Sequence, residues 1–91
     1  THNEKVIGKN DPIAQTNFII DKIEAAVSSL GGSLSDIVRT RIFVKNMDDW
    51  KDIAETHGKR FKEINPANTL VQANLVGEDY LVEIEAEAII E

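Results

Sequence analysis

The sequence has no cysteine and only two histidines among its 91 residues. Without cysteine there is no disulfide framework, no thiolate nucleophile and no thiolate ligand for a metal. The histidines, His2 and His57, are far apart in the chain and lack the short spacings that zinc ligands show. We therefore expect no metal site and no cofactor.

Long apolar runs and an excess of positive charge are also missing. No run approaches the roughly 20 apolar residues that cross a membrane, and no charged-then-apolar leader resembles a signal peptide. Sixteen acidic and ten basic residues give a formal net charge of −6, which repels nucleic-acid phosphates unless the basic residues gather on one face. They are not gathered. We expect a cytoplasmic or organelle-lumen protein, the cytoplasm being favoured, with no nucleic-acid and no membrane partner.

What the sequence does contain predicts one globular domain. A chain of this length supports a single, thin core, and 42% apolar with 29% charged residues is ordinary for a folded protein. Residues 1–10 are mostly polar and are predicted to form an N-terminal arm. Residues 11–91 are predicted to form the domain.

Two helices are indicated by capping signals and apolar periodicity. Asp11 and Pro12 are typical of a helix start and Gly31-Gly32 of its end, which predicts a helix over 12–30. Its apolar stripe comprises Ile19, Ile23, Ala26, Val27 and Leu30.

A second helix is predicted over 47–63. Asn46 and Asp49 resemble a capping pair, and Asn65-Pro66 ends the helix. Trp50 and His57 lie on the apolar stripe and are expected in the core, while Gly58 hints at a close approach of this helix to the sheet.

Three segments alternate as strands do, over residues 37–45, 68–75 and 80–90. With the helices, they give the order α-β-α-β-β, which predicts a two-layer α/β sandwich with both helices on one sheet face. The inward face of the first strand is predicted to carry Val38, Thr40, Ile42 and Val44. The open face is predicted to carry Arg39, Arg41, Phe43, Asn68, Leu70, Gln72, Asn74, Leu81, Glu83, Glu85, Glu87 and Ile89. Exposed leucine and phenylalanine on that face favour burial in an assembly.

The sequence resembles the Rid/YjgF family, also called the L-PSP endoribonuclease family. The resemblance is carried by the stretch 32–50 (GSLSDIVRTRIFVKNMDDW), by Pro66-Ala67 and by the VEIEA segment at 82–86, and it extends from about Val6. It implies an α+β, chorismate-mutase-like fold with a mixed sheet. It also implies homotrimers whose open sheet faces turn inward, and intersubunit clefts that take small molecules and hydrolyse enamines and imines.

Two departures from the family pattern stand out. In deaminating members the Pro-Ala pair precedes an arginine that binds the substrate carboxylate, whereas this chain has Asn68, which offers no guanidinium fork. A cysteine common in the deaminases is Leu70 here. The family also has strands upstream of the point where this sequence begins, so we expect either a fragment of a longer chain or a truncated relative.

The resemblance implies a role for each site residue, and each residue also has a simpler, structural explanation. Glu83 falls where the family carboxylate holds the attacking water and is the predicted catalytic residue. The alternative is that Glu83, Glu85 and Glu87 are the outward half of a strand, paired with Arg39 and Arg41. Asn68 and Leu70 are the predicted substrate-binding residues, although an asparagine at a strand start after proline is unremarkable.

Three hypotheses about function remain open. The first is an imine or enamine hydrolase of unidentified substrate, weak on carboxylate-bearing imines. The second is a non-catalytic, small-molecule-binding or structural trimer. The third is an endoribonuclease, which ranks last because the chain is acidic and has no partnered histidine.

Overall fold

Two helices and three strands make up the part of the chain that the computed structural model describes, residues 11–75, 77 and 79–90. In chain order they are α1 (Pro12–Ser29), β1 (Ile37–Val44), α2 (Trp50–Arg60), β2 (Ala67–Gln72) and β3 (Val82–Ala88). The predicted order α-β-α-β-β and the two-layer α+β architecture are confirmed. The predicted arm, with His2, lies outside the described residues.

The first helix begins and ends as its capping signals predict. The Ala14 amide donates to the Asp11 carboxylate at 3.0 Å, and Gly31 adopts a left-handed φ of 89° just past the helix. The predicted stripe is wrong toward its end, because Ala26 is exposed and Leu30, which lies at the C-cap, is 73% exposed. The buried residues of this helix are Gln15, Thr16, Ile20 and Val27.

The second helix is shorter than predicted and its first turn differs. A 3₁₀ turn over Met47–Asp49 precedes α2, and the Asn46 side chain makes no capping hydrogen bond, so the predicted capping pair is wrong. Trp50 stands at the start of α2 and is 48% exposed, so its predicted core position is wrong as well. Gly58 has open space where a side chain would stand, which removes the expected close approach to the sheet. His57 is buried, as predicted.

The sheet has the order β2-β1-β3, with β1 parallel to β2 and antiparallel to β3. The register between β1 and β3 is irregular between Ile37 and Arg39. A bulge of this kind reverses the alternation locally, so Val38 is exposed, opposite to the prediction, and its neighbour Ile37 is buried. From Arg39 to Val44 the predicted alternation is confirmed.

The faces predicted for β2 are the reverse of those in the structure. Asn68 pairs with Thr40 and Leu70 with Ile42, so both side chains share the helix-covered face. Thr69 and Val71 therefore lie on the open face. The prediction failed because both faces of this strand mix polar and apolar residues, and its own pattern does not fix the register.

Both helices pack on one face of the sheet and supply two groups of buried side chains. The first group consists of Ile20, Val27, Ile37 and Phe61. The second consists of Ile42, Val44, Ile53 and Val82. Among the described residues, neither helix is both long and apolar enough to cross a bilayer.

Candidate functional site

Asn68 occupies the start of the edge strand β2, where the chain turns from α2 into the sheet. Asn65 adopts a φ of 50°, a left-handed value that asparagine tolerates, and Pro66 follows it. The parallel register then sets Asn68 opposite Thr40 of β1, and the Thr40 hydroxyl donates to the Asn68 amide oxygen at 3.0 Å. The Asn68 residue as a whole remains exposed, so its side chain is both anchored and accessible.

A buried histidine stands behind this pair. The Nε2 atom of His57 lies 2.8 Å from the Thr40 hydroxyl oxygen, and the His57 ring also packs against the Phe61 ring. Burial lowers the pKa of His57 from its usual value of 6.5, because an imidazolium loses hydration there. The ring is therefore neutral at physiological pH.

Leu70, the second predicted substrate-binding residue, contributes to the core. It packs against the group that contains Ile42 and Ile53, and is half-buried. Only the remainder of its side chain, along the β2 edge, is available to a ligand. Its main contribution in the single chain is therefore apolar packing.

Glu83 projects from the open face of β3 and is exposed. It pairs with Phe43 in the sheet register, whereas Glu85 pairs with Arg41 and Glu87 with Arg39. The Arg41–Glu85 ion pair measures 3.2 Å and the Arg39–Glu87 ion pair 3.4 Å between nitrogen and oxygen. The predicted pairing of Arg39 and Arg41 with outward glutamates of this strand is thus confirmed, for Glu87 and Glu85.

Within the described part of the chain, Glu83 has no such partner. The simpler explanation, an ion-paired outward strand face, therefore holds for Glu85 and Glu87 but not for Glu83. An exposed carboxylate beside the Phe43 ring keeps its oxygens available to accept a proton.

The structure does not bring Glu83 and Asn68 together within one chain. They lie on opposite faces of the sheet, and β1 stands between their strands, which separates them by about 10 Å across the sheet. Their β1 partners, Thr40 and Phe43, are also three residues apart, or about 10 Å along the strand. One small molecule cannot contact both side chains of the same subunit.

An open depression of about 420 Å³ lies on the sheet face that carries Glu83. Arg39, Arg41, Glu85 and Glu87 line it, and the arginines are neutralised by the two glutamates. It contains none of the three predicted site residues. No cluster of three potential metal ligands occurs in residues 11–75, 77 and 79–90.

Sequence reasoning missed the two residues that hold Asn68. Thr40 was expected on the inward face of its strand and His57 in the core, but neither was expected to contact position 68. The sequence did signal a possible buried hydrogen bond, because a threonine and a histidine both fall at inward positions. Only the parallel register of β1 and β2 brings them to Asn68.

Comparison with known proteins identifies relatives of this chain. The family model described as Endoribonuclease L-PSP matches residues 1–90. A protein named 3-aminoacrylate deaminase RutC, from Acinetobacter baylyi, is 35% identical over 86 residues, which cover 94% of this chain and 68% of that protein. In three of the curated relatives that it matches, the chain spans 65 to 68% of the protein's length.

Solved structures show the same fold. Rv2704 from Mycobacterium tuberculosis, described as a member of the YjgF/YER057c/UK114 family, superimposes with a TM-score of 0.85 and is 38% identical, covering 88% of this chain and 69% of that one. E. coli TdcF with bound serine superimposes with a TM-score of 0.81 and is 27% identical, covering 89% of this chain and 66% of that one.

Proposed function

This chain belongs to the Rid/YjgF family, whose family model is named Endoribonuclease L-PSP, and from that premise we propose that it hydrolyses a small imine or enamine to a carbonyl compound and ammonia. The reaction class is supported by the relative named for deamination of 3-aminoacrylate, an enamine, which aligns over nearly all of this chain.

The observation that carries the proposal is the unpaired carboxylate of Glu83. The two other outward glutamates of β3 are held by arginines, whereas Glu83 is exposed and free of an arginine in the described residues. A general base has to be able to take up a proton during the reaction, and an ion-paired carboxylate is poorly suited to do so. Glu83 is therefore the better base on this strand.

The proposed chemistry needs only a base, water and a bound imine. An enamine first tautomerises to the imine. Glu83 then accepts a proton from water as the oxygen attacks the imine carbon, the electron pair of the C=N bond moves to nitrogen, and Glu83 returns the proton to that nitrogen. The resulting carbinolamine gives its hydroxyl proton to the nitrogen by way of Glu83, and ammonia leaves as the C–N bond breaks and the carbonyl forms. Water and imine thus yield a carbonyl compound and ammonia.

The substrate site is proposed to lie between two copies of the chain. Glu83 and Asn68 face opposite sides of one sheet, so a cleft that uses both must combine Glu83 of one subunit with Asn68 and Leu70 of another. A homotrimer with intersubunit clefts, which the family resemblance implies, satisfies this requirement. The partners in the proposal are therefore a small-molecule ligand and further copies of this chain.

Asn68 also limits which substrates are expected. An amide donates hydrogen bonds but carries no charge, so it cannot neutralise a carboxylate as an arginine does. We therefore expect weak hydrolysis of carboxylate-bearing imines compared with a relative that carries an arginine at this position.

The test is the rate of imine decay with Glu83 replaced. Imines are generated in situ, from alanine with an amino-acid oxidase and from benzylamine with a flavin amine oxidase, and their decay is followed by trapping with semicarbazide. Glu83→Gln should lower kcat by about 100-fold or more, the contribution expected of a positioned base. Glu85→Gln, on the same strand and face, is the matched control and should retain most activity. Equal rates for the two variants would remove Glu83 from the mechanism.

A second candidate, non-catalytic binding of a small molecule, is favoured by the serine in E. coli TdcF. Isothermal titration with serine distinguishes the two: binding together with no imine hydrolysis by wild type would favour this candidate. A nuclease function ranks last, because the net charge of −6 opposes RNA and His57 is buried.

A further inference from the structure

The hydroxyl of Thr40 joins two side chains that come from different elements. Its oxygen lies 2.8 Å from His57 Nε2, on α2, and 3.0 Å from Asn68 Oδ1, on β2. Thr40 is fully buried and His57 nearly so, whereas Asn68 is exposed. The three residues therefore form a hydrogen-bonded chain that runs from the core to the surface at position 68.

The number of available protons determines which group donates and which accepts in these hydrogen bonds. A hydroxyl donates one hydrogen bond and can accept two, while an amide oxygen only accepts. The Thr40 proton is therefore directed to Asn68 Oδ1. His57 then has to donate to Thr40, which requires the ring proton on Nε2.

The same direction determines what Asn68 presents to its surroundings. Because Oδ1 faces Thr40, the amide nitrogen with its two N–H donors faces away from the core. A reversed amide would instead present an acceptor and would donate to Thr40, whose proton would then be free for an unprotonated Nε2. An Nε2 without a proton would therefore indicate the reversed amide.

We propose that His57 and Thr40 are positioning residues that hold the Asn68 amide with its donors outward, so that position 68 selects ligands bearing a hydrogen-bond acceptor such as a carbonyl or carboxylate oxygen. The ligand part of this inference rests on the proposed function, which places Asn68 in the substrate cleft. The direction of the hydrogen bonds does not rest on the proposed function, because it follows from the three side chains alone.

The first experiment measures the direction directly. Long-range ¹H–¹⁵N correlation spectra of the full chain identify which nitrogen of each neutral imidazole is protonated, and His57→Gln assigns the His57 signals. We expect the proton on Nε2. We also expect Thr40→Val, which removes the hydroxyl at nearly constant shape, to increase the mobility of the Asn68 side-chain amide in ¹⁵N relaxation, while Thr40→Ser preserves its order.

A wild-type His57 protonated on Nδ1 would overturn the proposal, since Thr40 would then donate to the ring. Unchanged Asn68 amide mobility in Thr40→Val would overturn it as well. Both results are independent of enzymatic activity. An inactive wild type would reject the proposed hydrolysis, while the spectra would still decide the direction of the hydrogen bonds.

The second experiment tests the consequence for ligand choice. Two imines are compared, 2-iminopropionate, which carries acceptor oxygens, and the imine formed from benzylamine, which has none. Thr40→Val should raise KM for 2-iminopropionate by about threefold to tenfold with little change in kcat, as expected when binding geometry is loosened. KM for the benzylamine-derived imine should stay constant, and Thr40→Ser should restore the wild-type KM.

A parallel rise in KM for both imines would show a general structural effect and contradict the positioning role. Asn68→Asp provides an additional comparison, because it keeps the size of the side chain while removing its donors. Asn68→Asp should raise KM for 2-iminopropionate more than Thr40→Val does.

Discussion

Asn68 is the residue that most directly sets the expected chemistry, because the family resemblance implies an arginine at its position. Asn68→Arg should raise kcat/KM for 2-iminopropionate. A guanidinium paired with a carboxylate in a cleft contributes roughly 2 to 4 kcal/mol, on the order of 30-fold to 1000-fold, and partial recovery of about tenfold is expected from one substitution. Decay of the imine, generated in situ, gives the rate.

The control for this substitution is Asn74→Arg, which adds the same charge at an exposed position beyond the end of β2. It should leave kcat/KM unchanged. A wild-type rate as high as that of an arginine-bearing relative would show that Asn68 does not limit the reaction.

Burial of His57 should also make the free energy of unfolding depend on pH. Burial lowers its pKa in the folded chain, so the unfolded chain binds a proton more readily as pH falls below 6.5. Wild type should therefore lose stability from that pH downward until the folded pKa is passed. The slope from one proton is at most about 1.4 kcal/mol per pH unit.

Urea denaturation of wild type and His57→Gln between pH 8 and pH 5 isolates this effect, since the two proteins differ in this one ionisable group. The stability difference between the two proteins should shrink as pH falls. A difference that is constant across this range would contradict a lowered pKa.

At the scale of an element, α2 is attached to the sheet by Ile53 rather than by its tryptophan. Ile53 is fully buried against Ile42, Val44 and Val82, whereas Trp50 is 48% exposed. Ile53→Ala should lower the free energy of unfolding by about 2 to 5 kcal/mol, the range for truncating a buried isoleucine. Trp50→Ala should cost less, although it removes a larger side chain.

Chemical denaturation of the two variants under one condition measures this contrast. A larger loss for Trp50→Ala would mean that the tryptophan is buried in the folded protein, as an assembly could bring about. The comparison therefore also reports on whether α2 faces a partner.

The strands show how far a local pattern determines an element. β3 alternates cleanly between apolar residues and glutamates, and both its faces are as predicted. β2 mixes polar and apolar residues on both faces, so its orientation depends on pairing with β1. A bulge near Ile37 reverses the start of β1, which its alternation alone does not reveal.

For the whole molecule, the open sheet face is the surface on which assembly depends. It carries Phe43, Val71 and Glu83 beside two arginine–glutamate pairs, and no helix in the described residues covers it. We expect a homotrimer, so light scattering should give about 30 kDa, which is three chains of 10.1 kDa each. A monomer at micromolar concentration would reject both the assembly and the intersubunit cleft.

A pair of substitutions locates the contact surface. Phe43→Glu places a further negative charge beside Glu83 on the open face and should shift the protein toward monomer. Trp50→Glu adds the same charge to α2 and should leave the mass unchanged. Dissociation by Trp50→Glu alone would place the interface on the helical side instead.

The sequence by itself determined the element order, the two-layer α+β fold and the family, because capping residues, periodicity and motif spacing are local features of the chain. It also placed His57 in the core and put Arg39, Arg41 and the glutamates of β3 on one sheet face, since both follow from alternation within one element. The register of β1 and β3 then decided that Arg41 pairs with Glu85 and Arg39 with Glu87. Only the tertiary structure decided that Asn68 turns toward the helices, onto Thr40 and His57, and away from Glu83. That outcome depends on the register of two strands 28 residues apart, which no local pattern encodes.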